Sequence, residues 1–247
     1  MPWRDTRVPY RILVSEVMLQ QTGIERVRTK YAGFVRAFPG FRALAAASVE
    51  EVLDAWRGLG YNRRALALRE TARIIVETYH GRMPRTVESL VGLPGIGRAT
   101  ASAVLVYSFN APLPFIETNI RRVYLHFFFP RGRRVDDTAL MPLVEKTLDR
   151  NNPREWFYAL MDYGAMLGKT TANANTRSAR YRKQAAFAGS VRQLRGKILA
   201  ALLEGGPAAE ARIARKIGGA DERLGRVLTQ LVKEGFLRFR GGRYSFR

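Results

Sequence analysis

The stretch Leu93-Pro94-Gly95-Ile96-Gly97-Arg98 constrains this chain more than any other. Pro94 cannot sit inside a helix without losing a backbone hydrogen bond, so it closes the apolar segment before it. Gly95 and Gly97 reach backbone conformations that other residues resist, and they let another backbone come close. From Ala99 the sequence runs Ala-Thr-Ala-Ser-Ala-Val-Leu-Val, which reads as a new helix. The pattern predicts two helices joined by a tight hairpin. The leading N–H groups of the second helix point outwards, where a phosphate oxygen can accept them. By itself the stretch fits a phosphate grip and an ordinary turn equally well.

Helical periodicity dominates the chain around it. After Pro9-Tyr10, residues Ile12, Leu13, Val14, Val17, Met18 and Leu19 make a helix that is apolar almost all round and therefore mostly buried. Polar Gln20-Gln21-Thr22 closes it and suits a surface that meets a ligand. Ile24–Ala37 is amphipathic and is broken by Pro39-Gly40, and Ser48 with Glu51 has capping-box spacing for a helix to about Trp56. Gly58-Leu59-Gly60-Tyr61 is a turn that displays an aromatic ring ahead of a basic helix from Arg63 to about Tyr79. Thr86-Val87-Glu88-Ser89 starts the short helix that enters the hairpin. Pro112–Ile116 reads as extended, Glu117-Thr118-Asn119 as the cap of a helix over Ile120–Phe129, and two more helices fall at about Thr138–Asn151 and Pro153–Leu167. No run of alternating residues precedes position 190, so residues 1–168 are expected to be all-α.

Residues 169–190 carry Lys169, Arg177, Arg180, Arg182 and Lys183 and no acid, and read as a basic linker or arm lying along phosphates. Residues 191–247 form a separate unit. Leu194, Ile198, Leu202 and Leu203 mark one helix, and Ala211, Ile213, Ala214 and Ile217 a second. Asp221 can cap a third containing Leu224, Val227, Leu228, Leu231 and Val232. Phe236–Arg240, Gly241-Gly242 and Arg243–Phe246 make an alternating hairpin with a two-residue turn. Three helices and a basic hairpin are a winged helix-turn-helix pattern. With 13 Lys and Arg against 5 Asp and Glu, a net +8, the unit suits a DNA contact.

Charge points the same way for the whole chain. Lys and Arg number 42 against 21 Asp and Glu, a formal +21, which favours a polyanion partner, most simply nucleic acid. Cys is absent, which excludes disulfides, thiolate zinc sites and cysteine-held iron–sulfur clusters. No apolar run is long enough to cross a bilayer and no signal peptide opens the chain, so the expectation is a cytoplasmic, nucleoid-associated monomer without membrane contact. Within this frame Glu16 stands out. A carboxylate among the apolar residues of its helix is costly unless it is paired or holds its proton. Pairing with Arg4 or Arg7 and service as a titrating acid are both open.

Four segments occur in order: Ser15-Glu16-Val17-Met18-Leu19-Gln20-Gln21-Thr22, Gly58-Leu59-Gly60-Tyr61, Leu93–Arg98, and Glu117-Thr118-Asn119-Ile120-Arg121-Arg122-Val123. With Met161-Asp162-Tyr163-Gly164-Ala165-Met166, they resemble the helix-hairpin-helix DNA glycosylases, closest to the MutY adenine glycosylase and endonuclease III branch. The resemblance covers roughly residues 2–168 and implies a core of two helical lobes there, ahead of the basic arm at 169–190 and the winged-helix pattern at 191–247. It also implies an enzyme that flips a mismatched or damaged base out of double-stranded DNA and cuts its N-glycosidic bond. Glu16 matches the glutamate that protonates the departing adenine. Glu117 stands where the family has an aspartate that stabilises the oxocarbenium-like sugar, and Asn119 matches an asparagine of that site. Arg4, Gln20, Gln21, Tyr61, Gly95, Gly97 and Arg98 are the expected DNA-binding residues. Gln20 and Tyr61 match residues that enter the base stack. The resemblance further implies an alkali cation on the hairpin carbonyls.

Three departures qualify it. Ala99 stands where lyase-active relatives have lysine, so no Schiff base can form there and strand cleavage should be weak or absent. The four cluster cysteines of most relatives are missing, so no [4Fe–4S] cofactor is expected. The chain ends in the winged-helix pattern where MutY proteins have a Nudix-like domain, which leaves the opposite-strand specificity open. The expected function is monofunctional excision, in base-excision repair, of adenine or another mismatched or damaged base. Uracil or thymine mismatch excision and non-catalytic DNA binding are the alternatives.

Overall fold

The computed structural model describes residues 1–131, 133–219 and 221–247. They form two compact units. One comprises Met1, Trp3–Glu16 and Met83–Gln184, the other Pro2, Val17–Arg82 and Ala185–Arg247.

Helix α1 spans Pro9–Leu19, and Ile12, Leu13, Val14, Val17 and Met18 on it are buried, as its apolar circumference requires. In the second unit, α2 (Ile24–Ala37) buries Val27, Tyr31 and Phe34. The chain then makes α3 (Phe41–Ala46), which the sequence reading passes over because six residues carry less than two turns of periodicity. Helix α4 (Val49–Ala55) begins at the expected capping box, with the Glu51 amide donating to Ser48 Oγ at 3.1 Å and the Ser48 amide donating to the Glu51 carboxylate at 2.7 Å. Helix α5 (Arg63–Tyr79) completes this lobe around Trp56, which is fully buried.

The first unit is built on α6 (Val87–Val91), α7 (Arg98–Phe109), α8 (Thr118–Phe128), α9 (Asp137–Thr147) and α10 (Pro153–Thr170). Helix α9 stops short of the expected Asn151. Leu148 is extended, and the Asp149 carboxylate takes the amides of Asn151 and Asn152, a local turn that competes with the helix. After α10 a 3₁₀ turn, Ala174–Arg177, lies within the expected linker and is tied to its own unit by a bridge between Val135 and Ser178.

The C-terminal residues form α11 (Val191–Gly205), α12 (Glu210–Lys216), α13 (Leu224–Lys233), β1 (Leu237–Arg240) and β2 (Arg243–Phe246). The strands pair antiparallel from Leu237 with Phe246 to Arg240 with Arg243. Gly241 and Gly242 connect them with φ of 54° and 72°, the left-handed pair that a two-residue hairpin turn needs. Ala208 bridges the other edge of β2 at Tyr244. Asp221 does not cap α13 as expected. Arg223 is the N-cap residue, and Asp221 accepts its amide at 2.9 Å and pairs with its guanidinium at 2.7 Å.

Candidate active site

In the first unit, two carboxylates are held in contrasting ways. Glu16 lies on α1 between buried Ser15 and Val17. Burial, reinforced by the nearby negative charge of Glu117, pushes its pKa up to about 8, and Arg4 opposes this only weakly. Arg4 is committed elsewhere. Its guanidinium makes a two-pronged pair with Asp162 at 2.7 Å on both contacts and lies 4.5 Å above the Tyr158 ring. The buried Arg154 fixes this segment by donating to the carbonyls of Arg4 and Thr6, both at 2.7 Å. The arginine partner that the sequence offered Glu16 therefore sits with Asp162, and Glu16 keeps its raised pKa.

Glu117 is the N-cap of α8, and its Oε1 accepts the amides of Asn119 at 2.6 Å and Ile120 at 2.7 Å. Its pKa is raised by burial, but those two amides and then Arg121 and Arg122 favour the charged form. Glu117 thus has amides and guanidinium groups that favour its charge, whereas Glu16 has only the opposing pull of Arg4, itself engaged by Asp162.

The turn that carries Glu117 is fixed from α10. A Cβ on Gly164 would lie 2.3 Å from the Asn119 carbonyl oxygen, so only glycine lets α10 approach so closely. Arg122 locks the contact by donating to Asn119 Oδ1 at 2.8 Å and to the Gly164 carbonyl at 2.6 Å. With Oδ1 engaged, the Asn119 amide nitrogen is the group left to donate. Tyr107, from α7, is 2 % exposed and stacks on Tyr158 with centroids 4.5 Å apart. Burial and the charges of Glu16, Tyr158 and Glu117 hold its hydroxyl protonated.

The hairpin before α7 is pinned by buried Leu93 and Ile96, and the Ile96 amide donates to the Leu93 carbonyl at 3.2 Å. Gly95, with φ of 75°, makes the left-handed step, while Gly97 caps α7 without a side chain to cover the first-turn amides. Gly95, Gly97, Arg98 and Ala99 are all exposed.

In the second unit, Gln20 and the Tyr61 turn are brought together by Arg64. It donates to the carbonyls of Val17 at 2.8 Å, Met18 at 2.9 Å and Gly60 at 3.1 Å, and also to the Gln20 carbonyl. Burial lowers its pKa to about 10. Gln21 and Tyr61 both have positive φ, 55° and 47°. Such backbone is uncommon for residues with a side chain and clusters at functional sites.

Comparison with known proteins places the chain in a family. Residues 14–146 match the HhH-GPD superfamily base excision DNA repair protein family. The chain belongs to that family. It is 36% identical over 81% of its length to the adenine DNA glycosylase of Mycolicibacterium smegmatis, of which it covers 74%. It is 37% identical over 67% of its length to the human adenine DNA glycosylase, of which it covers 32%. Among solved structures, a thermostable thymine-DNA glycosylase matches with a TM-score of 0.60 and 29% identity, over 67% of this chain and 78% of the other.

The residues of this family member do not fit an iron–sulfur cluster, since there is no sulfur donor of the required kind anywhere in the sequence. Protein hydrogen bonds hold the segment after α10. Buried Asn175 donates to the Thr118 carbonyl at 3.1 Å, and Arg177 donates to the Leu125 and Pro130 carbonyls at 3.0 and 3.1 Å. Two site residues escaped the sequence reading. Tyr107 lies in an apolar helix and looks like core. Arg64 is one of many arginines, and only its place just behind the Gly-Leu-Gly-Tyr turn could have singled it out.

Proposed function

We propose that the chain is a monofunctional DNA glycosylase that hydrolyses the N-glycosidic bond of adenine in mispaired duplex DNA. The observation that carries this reading is the division of labour between the two carboxylates. Glu16 holds a proton at neutral pH and can deliver it to a ring nitrogen of the departing base. In its charged form, which the α8 amides favour, Glu117 can stabilise the positive sugar as the bond breaks, with Asn119 donating to the attacking water or to the sugar. Ala99 offers no amine at the hairpin helix, so the abasic product leaves without Schiff-base strand cleavage.

In this reading the exposed hairpin at Gly95, Gly97 and Arg98 grips a phosphate, and its carbonyls offer the hard oxygen donors that an alkali cation takes. Gln20, Gln21 and Tyr61 engage the bases around the vacated position, and Arg4 steadies the ring system beside Glu16. Residues 191–247 are read as a winged helix-turn-helix, supported by three helices, the β1–β2 hairpin and the bridge at Ala208. The working form is a monomer acting on nucleoid DNA in the cytoplasm. Among the described residues no helix is long and apolar enough to cross a membrane.

The test is excision from duplexes holding adenine opposite 8-oxoguanine or guanine, and uracil or thymine opposite guanine, each with and without alkali. Abasic sites at adenine that break only with alkali are expected. Release of thymine in preference would support the alternative favoured by the thymine-DNA glycosylase likeness. No release from any duplex would leave DNA binding without catalysis.

A further inference from the structure

We propose that residues 191–247 make a second duplex-DNA contact, through the exposed face of α13 and the arginine face of the β1–β2 hairpin. The inference rests on the winged-helix reading and is independent of which base is excised. On α13, Leu224, Val227, Leu228 and Leu231 are buried, while Arg226, Thr229, Gln230 and Lys233 are exposed at the spacing of a single helix face. In the hairpin, alternation and register place Leu237, Phe246, Phe239 and Tyr244 on one side. Arg238, Arg240, Arg243 and Ser245 lie on the other.

Most acids of the module are already neutralised by neighbouring arginines. Glu234 takes Arg63 and Arg195, Asp221 takes Arg223, and Glu204 takes Arg57. Among the described residues, Arg226, Lys233, Arg238, Arg240 and Arg243 have no carboxylate within ion-pair distance, and all are exposed. A helix face of Arg, Thr, Gln and Lys with a cationic hairpin matches the two parts that a winged helix lays on a duplex, one in a groove and one along the backbone.

Continuity with the base-engaging residues argues for DNA over a protein partner. Arg192 on α11 donates to the Tyr61 hydroxyl at 2.5 Å, and its guanidinium lies 5.4 Å from the Tyr61 ring centre. Glu234, at the end of α13, binds Arg63 at the start of α5, immediately after the Tyr61 turn. The module is thus fastened within its own unit to the turn assigned to the base stack.

The full-length chain with Arg238→Ala, Arg240→Ala and Arg243→Ala together tests this, using an undamaged duplex so that no excision is needed. Affinity at low salt should fall at least tenfold. The slope of log affinity against log salt should shrink by about 2 to 3, roughly one for each lost phosphate contact. The matching triple lysine variant should keep the wild-type slope, since it keeps the charge. If the alanine variant melts below the assay temperature, the single variants Arg240→Gln and Arg243→Gln serve, each expected to lose about one unit of slope. A folded alanine or glutamine variant with the wild-type slope and affinity overturns the proposal and leaves the face to another partner. A wild-type chain that excises nothing yet shows the slope change overturns the glycosylase reading alone.

Discussion

Glu16 and Glu234 are both glutamates near arginines, and the protein treats them in opposite ways. Glu234 receives Arg63 and Arg195 directly, and its pKa falls to about 2, with the Arg63 hydrogen bond the largest cause. Glu16 has Arg4 close enough to feel its charge, yet Asp162 engages that guanidinium, and burial takes Glu16 to about 8. A carboxylate that is fully paired is electrostatically quiet and serves to fasten helices. One left without its cation retains a proton it can give away. Each pairing can be altered separately, so the contrast is open to experiment.

The largest effect is expected at the site. Glu16→Gln removes the proton donor and should lower single-turnover excision about 10³- to 10⁴-fold with duplex affinity preserved. Glu117→Gln keeps an acceptor for the α8 amides but loses the charge, and should cost about 10²- to 10³-fold. Near-normal excision by either variant sinks the role assigned to it. Raising pH through the Glu16 pKa should silence the wild-type enzyme, and acidification that protonates Glu117 should do the same from the other side.

A second expectation concerns stability. The folded chain keeps a proton on Glu16 between the ordinary value of 4.5 and about 8, whereas the unfolded chain releases it. The stabilisation from this group is therefore complete below pH 4.5 and is lost as pH rises through about 8. Glu16→Gln does not titrate, so it should be as stable as wild type in acid and up to about 5 kcal/mol more stable near pH 9. Parallel denaturant melts across that range decide the matter. A constant difference would mean that Glu16 is not proton-bearing in the fold.

How much of this was legible in the sequence follows from the range of each interaction. The capping box at Ser48, the Gly95 turn and the Glu117 cap are local, and residue types within four positions specify them. The apolar setting of Glu16 was readable from its helix, because Leu13, Val14, Val17 and Met18 around it are apolar and buried, although Glu16 itself is only partly covered. The fate of Arg4 was not, since its partner Asp162 is 158 residues away. Gly164 was visible within a motif, but nothing nearby indicates that its missing Cβ admits the Asn119 carbonyl. Arg64 and Tyr107 were illegible for the same reason: their partners come from other helices.

Gly164 supplies the third prediction. Gly164→Ala forces a methyl into a space where the Asn119 carbonyl oxygen is 2.3 Å away and is backbone, not a movable side chain. The variant should lose about 2 to 3 kcal/mol of stability, and excision should fall because the Glu117–Asn119 turn shifts. Duplex affinity, which draws on other residues, should change less than the excision rate. An alanine variant with wild-type rate and stability would show that α10 yields easily and does not fix the turn.

The smallest effect belongs to Glu234. Glu234→Gln leaves Arg63 and Arg195 facing an amide. Arg63 is largely exposed and can turn to water, but Arg195 is only 17% exposed and must keep some of its charge unpaired. A loss of about 1 to 2 kcal/mol is expected, below the cost of breaking a fully buried pair. The sign of the pH dependence is opposite to that of Glu16. The stabilisation from Glu234 is complete above the ordinary carboxylate value of 4.5 and disappears as pH falls through about 2. Wild type and variant should therefore converge only in strong acid, while Glu16→Gln and wild type diverge only toward alkali. Opposite slopes in the two melts would show one residue type fastening one part of the fold and carrying the proton in another.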